Sequence, residues 1–159
     1  MATKPTVYIE TTVISYLTAR PSRDVVRAAR QKITRDWWEN QRKAFELYTS
    51  EFVVIEAEAG DRAAARRRIE KLRELPLLRI TEQALDLADE LVKAAAIPLV
   101  AHRDAQHVAV AAVNEMEFLL TWNCTHLANV MLRDNIKTTC EKAGFAAPKI
   151  CRPEELIGE

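Results

Sequence analysis

The sequence predicts an α/β protein built on a mostly parallel sheet that is covered on both faces, and three observations predict it. Short β-branched or apolar runs alternate along the chain with longer stretches whose apolar residues recur at helical spacing. The 159 residues, 48% of them hydrophobic, suffice for one sizeable buried core, which predicts a single domain over residues 1–159. Glycine occurs only at Gly60, Gly144 and Gly158, none of them in a phosphate-cradling loop, which argues against the nucleotide-cofactor folds that share this alternation.

The elements follow in order. Thr6 to Ile9 is short and β-branched and reads as a first strand, running into a short helix over Thr11 to Leu17, with Glu10 at the junction. After Pro21, Val26, Ala29, Ile33, Trp37, Ala44 and Tyr48 recur near helical spacing and predict one long helix or a helical pair. Ser50 as N-cap and Gly60 as stop make a brief helix of the segment around Phe52 to Ile55. Arg62 to Leu72 continues as a strongly basic helix. Leu77 to Ile80 reads as a buried strand, and Thr81 can cap a helix with Ala84, Ala88, Leu91 and Ala95 on one apolar face. Asp104 starts another helical pattern through Val108, Ala109 and Ala112. Phe118 to Trp122 is a strand that ends in the polar loop Asn123-Cys124-Thr125-His126; a last helix precedes Gly144, and Lys149-Ile150-Cys151 forms a closing strand.

Lysine plus arginine (23) balances aspartate plus glutamate (23), so no long-range field draws the molecule to polyanions, and any nucleic-acid contact must come from local patches. No stretch is long and apolar enough to cross a bilayer, and the first residues lack the apolar run of a signal peptide, which points to a cytoplasmic protein without a membrane partner. Cys124, Cys140 and Cys151 are odd in number and form no close pair of the kind found in zinc knuckles or redox motifs. They read as reduced, mostly buried thiols.

In open parallel sheets, sites form outside the carboxyl ends of the strands, so the polar residues at those ends are the ones to collect. Glu10 follows the first strand, Asn123 follows the strand Phe118 to Trp122, Asp104 fronts the helix leading into that strand, and Glu56 lies on the short helix after Ser50. Hard oxygen ligands converging on one spot repel one another unless a cation lies between them, and magnesium suits such a half-open site. A magnesium ion at about 2.1 Å from carboxylate oxygens lowers the pKa of a bound water and offsets charge on a phosphate, which makes phosphodiester hydrolysis the natural chemistry. Each acid also has a plainer reading. Asp104 near a helix start complements the helix dipole, and Glu56 resembles any exposed helical glutamate. Glu10, directly after a buried strand, is costly unless paired or bound. Glu56 and Glu58 lie about 200° apart around a helix, so only one of them can face the site.

The run Tyr8-Ile9-Glu10-Thr11-Thr12-Val13-Ile14-Ser15-Tyr16-Leu17 resembles the opening motif of PIN domains, in which a strand ends in an acid followed by a hydroxyl-rich helix start. Ser50-Glu51-Phe52-Val53-Val54-Ile55-Glu56, with Gly60-Asp61 after it, resembles the second motif and places the family's helical acid on Glu56. Asp104-Ala105-Gln106-His107-Val108-Ala109-Val110-Ala111, then Phe118 to Asn129, resembles the third and fourth motifs in order and spacing, so the likeness covers nearly the whole chain. The resemblance implies a three-layer α/β/α fold, an acidic cluster holding magnesium, with manganese as its substitute, and hydrolysis of RNA. Glu10, Glu56 and Asp104 are then the metal ligands, and Asn123 completes the catalytic set. Many relatives are VapC-type toxins, held inactive by a small antitoxin and commonly dimeric. Two positions depart from the pattern. Glu10 stands where the family has aspartate, carrying the carboxylate outward by roughly 1.5 Å, and Asn123, where many members carry aspartate, lacks one negative charge. A catalytically weakened or inactive PIN-fold module that binds RNA or protein is therefore the alternative.

Arg62, Arg66, Arg67, Arg68, Lys71 and Arg73 form one basic group, and Arg20, Arg23, Arg27, Arg30, Lys32 and Arg35 a second. Either could track an RNA backbone, while the interspersed Glu70, Glu74, Asp24 and Asp36 also allow solvated, internally compensated faces. The histidines lack the paired spacing of zinc hydrolases. His107, three residues after Asp104, projects from nearly the same helix face, as a donor to the acids or as a packed polar residue. Thr12 either hydrogen-bonds the cluster or caps a helix. Trp37, Trp38 and Trp122 read as core or interface.

Overall fold

The computed structural model describes residues 3–94 and 96–158 and has a three-layer α/β/α architecture. Its sheet contains β1 (Thr6–Ile9), β2 (Glu46–Tyr48), β3 (Phe118–Leu120) and β4 (Lys149–Cys151), all parallel, in the spatial order β2-β1-β3-β4. Tyr8 faces Tyr48 on one side and Leu119 on the other, and Leu119 faces Ile150. Val7, Tyr8 and Ile9 are all fully buried, as a central strand covered on both faces requires.

The helices are α1 (Thr11–Thr18), α2 (Val25–Asn40), α3 (Glu51–Ala57), α4 (Arg62–Leu72), α5 (Glu82–Lys93), α6 (His102–Val113) and α7 (Val130–Lys142). They pack in two groups: α1 against α2, α3 and α4, and α5 against α6 and α7, with α3 also reaching α6. Side-chain caps start several of them: Asp24 accepts from Arg27 N, Asp61 from Ala64 N, and Thr81 from Ala84 N. Gly60, at φ +85°, takes the left-handed turn between α3 and α4 that a side chain resists. Small residues line α6 from Ala105 to Ala112, where Ala105, Ala109, Ala111 and Ala112 are buried, and this lets α6 lie close to α5 and β3. Trp37, Trp38 and Trp122 belong to the core as the sequence suggests, and the indole N–H groups of Trp37 and Trp122 donate to Leu156 O at 2.7 Å and Thr34 Oγ1 at 2.8 Å.

Two expectations fail, one from helical periodicity and one from an apolar run. The long helix ends at Asn40; Ala44 closes a short 3-10 turn and Tyr48 sits in β2, a three-residue strand that the helical spacing conceals. The strand expected over Leu77 to Ile80 reduces to one bridge, Leu77 to Thr49, at the open edge beyond β2. Leu77 is accordingly 53% exposed. Of the apolar face expected on α5, Ala84, Ala88 and Leu91 are buried; Ala95 lies outside the described residues.

Candidate active site

The strand order places a topological switch point between β1 and β3, because the chain moves from β1 to β2 on one side and fills β3 and β4 on the other. Every residue that the sequence singles out lies at the carboxyl ends of these strands or on a helix beside them. Glu10, immediately after β1, is 2% exposed and serves as the N-cap of α1. Its Oε1 accepts from Thr12 N at 3.1 Å, Thr12 Oγ1 at 2.5 Å and Thr121 Oγ1 at 2.6 Å. The two threonine hydroxyls in turn accept from the chain leaving β3, Thr12 from Trp122 N at 2.8 Å and Thr121 from Asn123 N at 2.9 Å. Glu10 therefore joins the ends of β1 and β3 through two hydroxyls, and Thr12 belongs to the acidic cluster.

Glu56 on α3 reaches the chain just after β1 at Thr11. Its Oε1 accepts from Thr11 Oγ1 at 2.8 Å and from His107 Nε2 at 2.5 Å. His107 is fully buried, and its other ring nitrogen, Nδ1, lies 2.6 Å from the Tyr8 hydroxyl, which lies 2.7 Å from Ser50 Oγ. A carboxylate only accepts, so Nε2 carries the proton shared with Glu56. In the singly protonated ring Nδ1 then accepts from Tyr8, and Tyr8 accepts from Ser50. A buried chain Ser50, Tyr8, His107, Glu56 thus runs through β1, α3 and α6. Ser50 occupies the N-cap position of α3, but its hydroxyl makes no capping bond and is committed to Tyr8 instead. Among the described residues no buried side-chain polar atom lacks a partner, so the chain is complete at both ends.

Asp104 and Asn123 form a second group. Asp104 lies one turn before His107 on α6, and its Oδ2 is 3.2 Å from His126 Nδ1. Asn123 Oδ1 accepts from Thr125 N at 3.2 Å and His126 N at 3.0 Å, an Asx-type turn that holds the loop after β3. His126 thus links Asn123 to Asp104. The structure forms three hydrogen-bonded sets side by side: Glu10 with Thr12 and Thr121, Glu56 with Thr11 and His107, and Asp104 with His126, whose loop Asn123 holds.

The electrostatics differ between the two glutamates. Burial pushes the Glu10 carboxyl above the usual range, against the lowering influence of His107 and of the hydrogen bonds from Thr12 and Thr121. Burial also acts upward on Glu56, but the hydrogen bond from His107, the Thr11 bond and Arg103 together outweigh it and hold Glu56 below the usual range. The Tyr8 phenol is pushed up by burial and stays protonated, as a donor to His107 needs.

Among the described residues no three His, Cys, Asp or Glu side chains stand as a ready ligand group for one ion. The hydrogen bonds do leave each acid an oxygen outside them: Oε2 of Glu10, Oε2 of Glu56 and Oδ1 of Asp104. One hard oxygen per acid suits a cation that keeps several of its waters and takes few protein ligands, the habit of magnesium. Asn123 Oδ1 is already spent on the loop, so its contribution as placed is to shape that loop.

No family model and no curated protein matches this chain. The site's chemistry therefore rests on its own geometry. Tyr8, Thr11, Ser50, Thr121 and His126 complete that geometry without having been singled out from sequence as site residues. The available signal was the run of hydroxyls at strand ends, Thr11, Thr12, Ser50 and Thr121, each at the point where an apolar strand stops.

Proposed function

We propose that this protein is a divalent-metal-dependent endoribonuclease of the PIN type, the toxin member of a toxin–antitoxin pair. The observation that carries the reading is the placement of Glu10, Glu56 and Asp104 around the carboxyl ends of β1 and β3, each with one oxygen free of protein hydrogen bonds. Bound magnesium or manganese would supply a water of lowered pKa and offset charge on the phosphate. The chain's own part is to hold the acids: Thr12 and Thr121 fix Glu10, Thr11 and His107 fix Glu56, and His126 fixes Asp104. Asn123 orders the loop that borders the crevice. RNA would be the substrate, a small antitoxin the inhibitory partner, and a homodimer the assembly.

The test is cleavage of a mixed structured and single-stranded RNA pool by antitoxin-free protein with magnesium, manganese or EDTA, beside Asp104→Asn. Cleavage that EDTA and Asp104→Asn both abolish supports the nuclease. A second reading, a PIN-fold module that binds without hydrolysis, is favoured by Glu10, whose carboxyl is buried, wrapped by three donors and pushed toward the neutral form. Absence of cleavage with either metal, with RNA still bound, would establish that module instead. Asn123→Asp is then the variant to try for recovered activity.

A further inference from the structure

The two basic groups are not equivalent in the folded chain. On α4, Arg67 Nε donates to Thr18 O at 3.0 Å, and Arg68 donates to Ala57 O at 3.0 Å and Ala59 O at 2.7 Å. Lys71 pairs with Glu74 at 3.0 Å. Arg62, Arg66 and Arg73 share their surface hollow with Glu58 and Glu70. On α4, Arg67 and Arg68 are held against backbone carbonyls that tie α1, α3 and α4 together, and Arg62, Arg66 and Arg73 share their hollow with two acids, so their charge is less freely presented to a polyanion.

Of the second group, Lys32 is paired with Asp36, whereas Arg20 and Arg27 line an open groove of about 460 Å³ between α1 and α2, with Thr12, Ser15, Tyr16 and Ser22 among its other lining residues. No carboxylate is among its lining residues, and among the described residues neither Arg20 nor Arg27 makes an ion pair. The wall is built rather than incidental. Gln31, 4% exposed, donates to Arg20 O at 2.9 Å and accepts from Ser22 N at 3.0 Å, pinning the turn that presents Arg20. Arg30 lies over the Trp122 ring at 5.2 Å and the Tyr16 ring at 5.9 Å, adding a fixed positive charge behind the groove. At its inner end stands Thr12, whose hydroxyl donates to Glu10. The groove thus leads from two free guanidinium groups to the acidic cluster.

We infer that the α1–α2 groove, and not the arginine-rich α4, binds the phosphodiester backbone of a single RNA strand, with Arg20 and Arg27 each on a phosphate and the strand continuing toward Glu10. This assignment rests on the proposed action on RNA. Each phosphate neutralised on a single strand contributes about 0.7 to the slope of log affinity against log salt.

The experiment is a salt titration of binding to a short fluorescent single-stranded RNA, followed by anisotropy in EDTA so that no metal-dependent cleavage intervenes. Three variants are compared with the wild type: Arg20→Ala with Arg27→Ala, Arg20→Lys with Arg27→Lys, and Arg62→Ala with Arg66→Ala. The alanine pair in the groove is expected to lower the slope by about 1.4, at about 0.7 for each phosphate, and low-salt affinity by at least about tenfold. The lysine pair keeps most of the slope, and the α4 pair leaves both quantities unchanged. Wild-type slope and affinity in the groove alanine pair, an equal loss in the α4 pair, or no binding by the wild type would each overturn the inference. Binding that follows the expected pattern in a protein that cleaves nothing would leave the groove standing and refute only the nuclease.

Discussion

Tyr8→Phe removes one oxygen from the middle of the buried chain and changes nothing else in shape. Two partners, Ser50 Oγ at 2.7 Å and His107 Nδ1 at 2.6 Å, lose their bond, and all three residues are fully buried. A buried polar group left without a partner costs about 1–3 kcal/mol. The Ser50 hydroxyl can rotate, so the sum for two groups is expected in the lower half of twice that range, about 2–4 kcal/mol. For a chain of this size a urea m-value of about 2–3 kcal/mol/M converts this into a midpoint lowered by about 0.7–2 M at unchanged m. The stability assay is a urea titration followed by far-UV circular dichroism. Ser50→Ala removes the same link from the other side, so the double variant should cost less than the two single losses added, by about 1 kcal/mol or more. A stability loss alone could come from packing, so the ring nitrogens of His107 provide the decisive reading. Long-range proton–nitrogen spectra should show Nδ1 as a hydrogen-bond acceptor in the wild type and no longer so in Tyr8→Phe. A midpoint lowered by less than about 0.3 M, strict additivity with Ser50→Ala, or an unchanged Nδ1 signal would refute the chain as drawn.

Two further predictions concern titration. Glu10 has a folded-state pKa above its ordinary 4.5, so the stability that its protonated form contributes is complete below that value and is lost as pH rises through the folded pKa. Glu56 has the opposite sign: its contribution is complete above 4.5 and is lost as pH falls through its lowered pKa. In metal-free buffer Glu10→Gln should raise the urea midpoint at neutral pH and flatten its decline from acid to neutral pH, whereas Glu56→Gln should lower it at neutral pH and flatten the acid-side loss. Midpoints measured between about pH 2 and pH 8 decide both, and a Glu10→Gln variant less stable than the wild type at neutral pH would contradict the burial argument. The thiols supply another test: burial pushes the buried Cys140 up to about 11 and the half-buried Cys151 up to about 12, so neither presents much thiolate at neutral pH. Iodoacetamide labelling read by mass spectrometry should leave both unmodified until the protein is unfolded.

The sequence made the fold class and the positions of the candidate acids legible, but not every element of the frame. Glu10, Glu56 and Asp104 stand out because an acid beside a buried strand or at a helix start contrasts with its apolar neighbours, and the structure puts all three around the strand ends. The short strand β2 was hidden because Ala44 and Tyr48 continue the helical spacing of α2 by coincidence, and three residues are too few for an alternation of period two to register. Leu77 to Ile80 misled for the complementary reason: an apolar run signals burial only when a neighbouring strand extends along it, and here β2 stops after Tyr48 with one bridge at Thr49. Local pattern reports what a segment can do, and pairing partners decide whether it does so.

The same limit explains Tyr8. On a strand buried on both faces, side-chain alternation carries no polar signal, so a tyrosine there reads as one more core residue. What gives it a role is its place on β1 between α3 and α6, where Ser50 and His107 converge from segments 42 and 99 residues away in sequence. That convergence also resolves the choice left open for His107. A merely packed imidazole needs one partner for its N–H, whereas His107 uses both nitrogens, one on a buried phenol and one on a carboxylate whose second oxygen remains free. The ring is held from behind and holds Glu56 in front, which is the arrangement expected when one oxygen of an acid must be kept pointing at a ligand. If Glu56 were only a surface glutamate near a helix end, nothing would require three buried residues to fix its orientation.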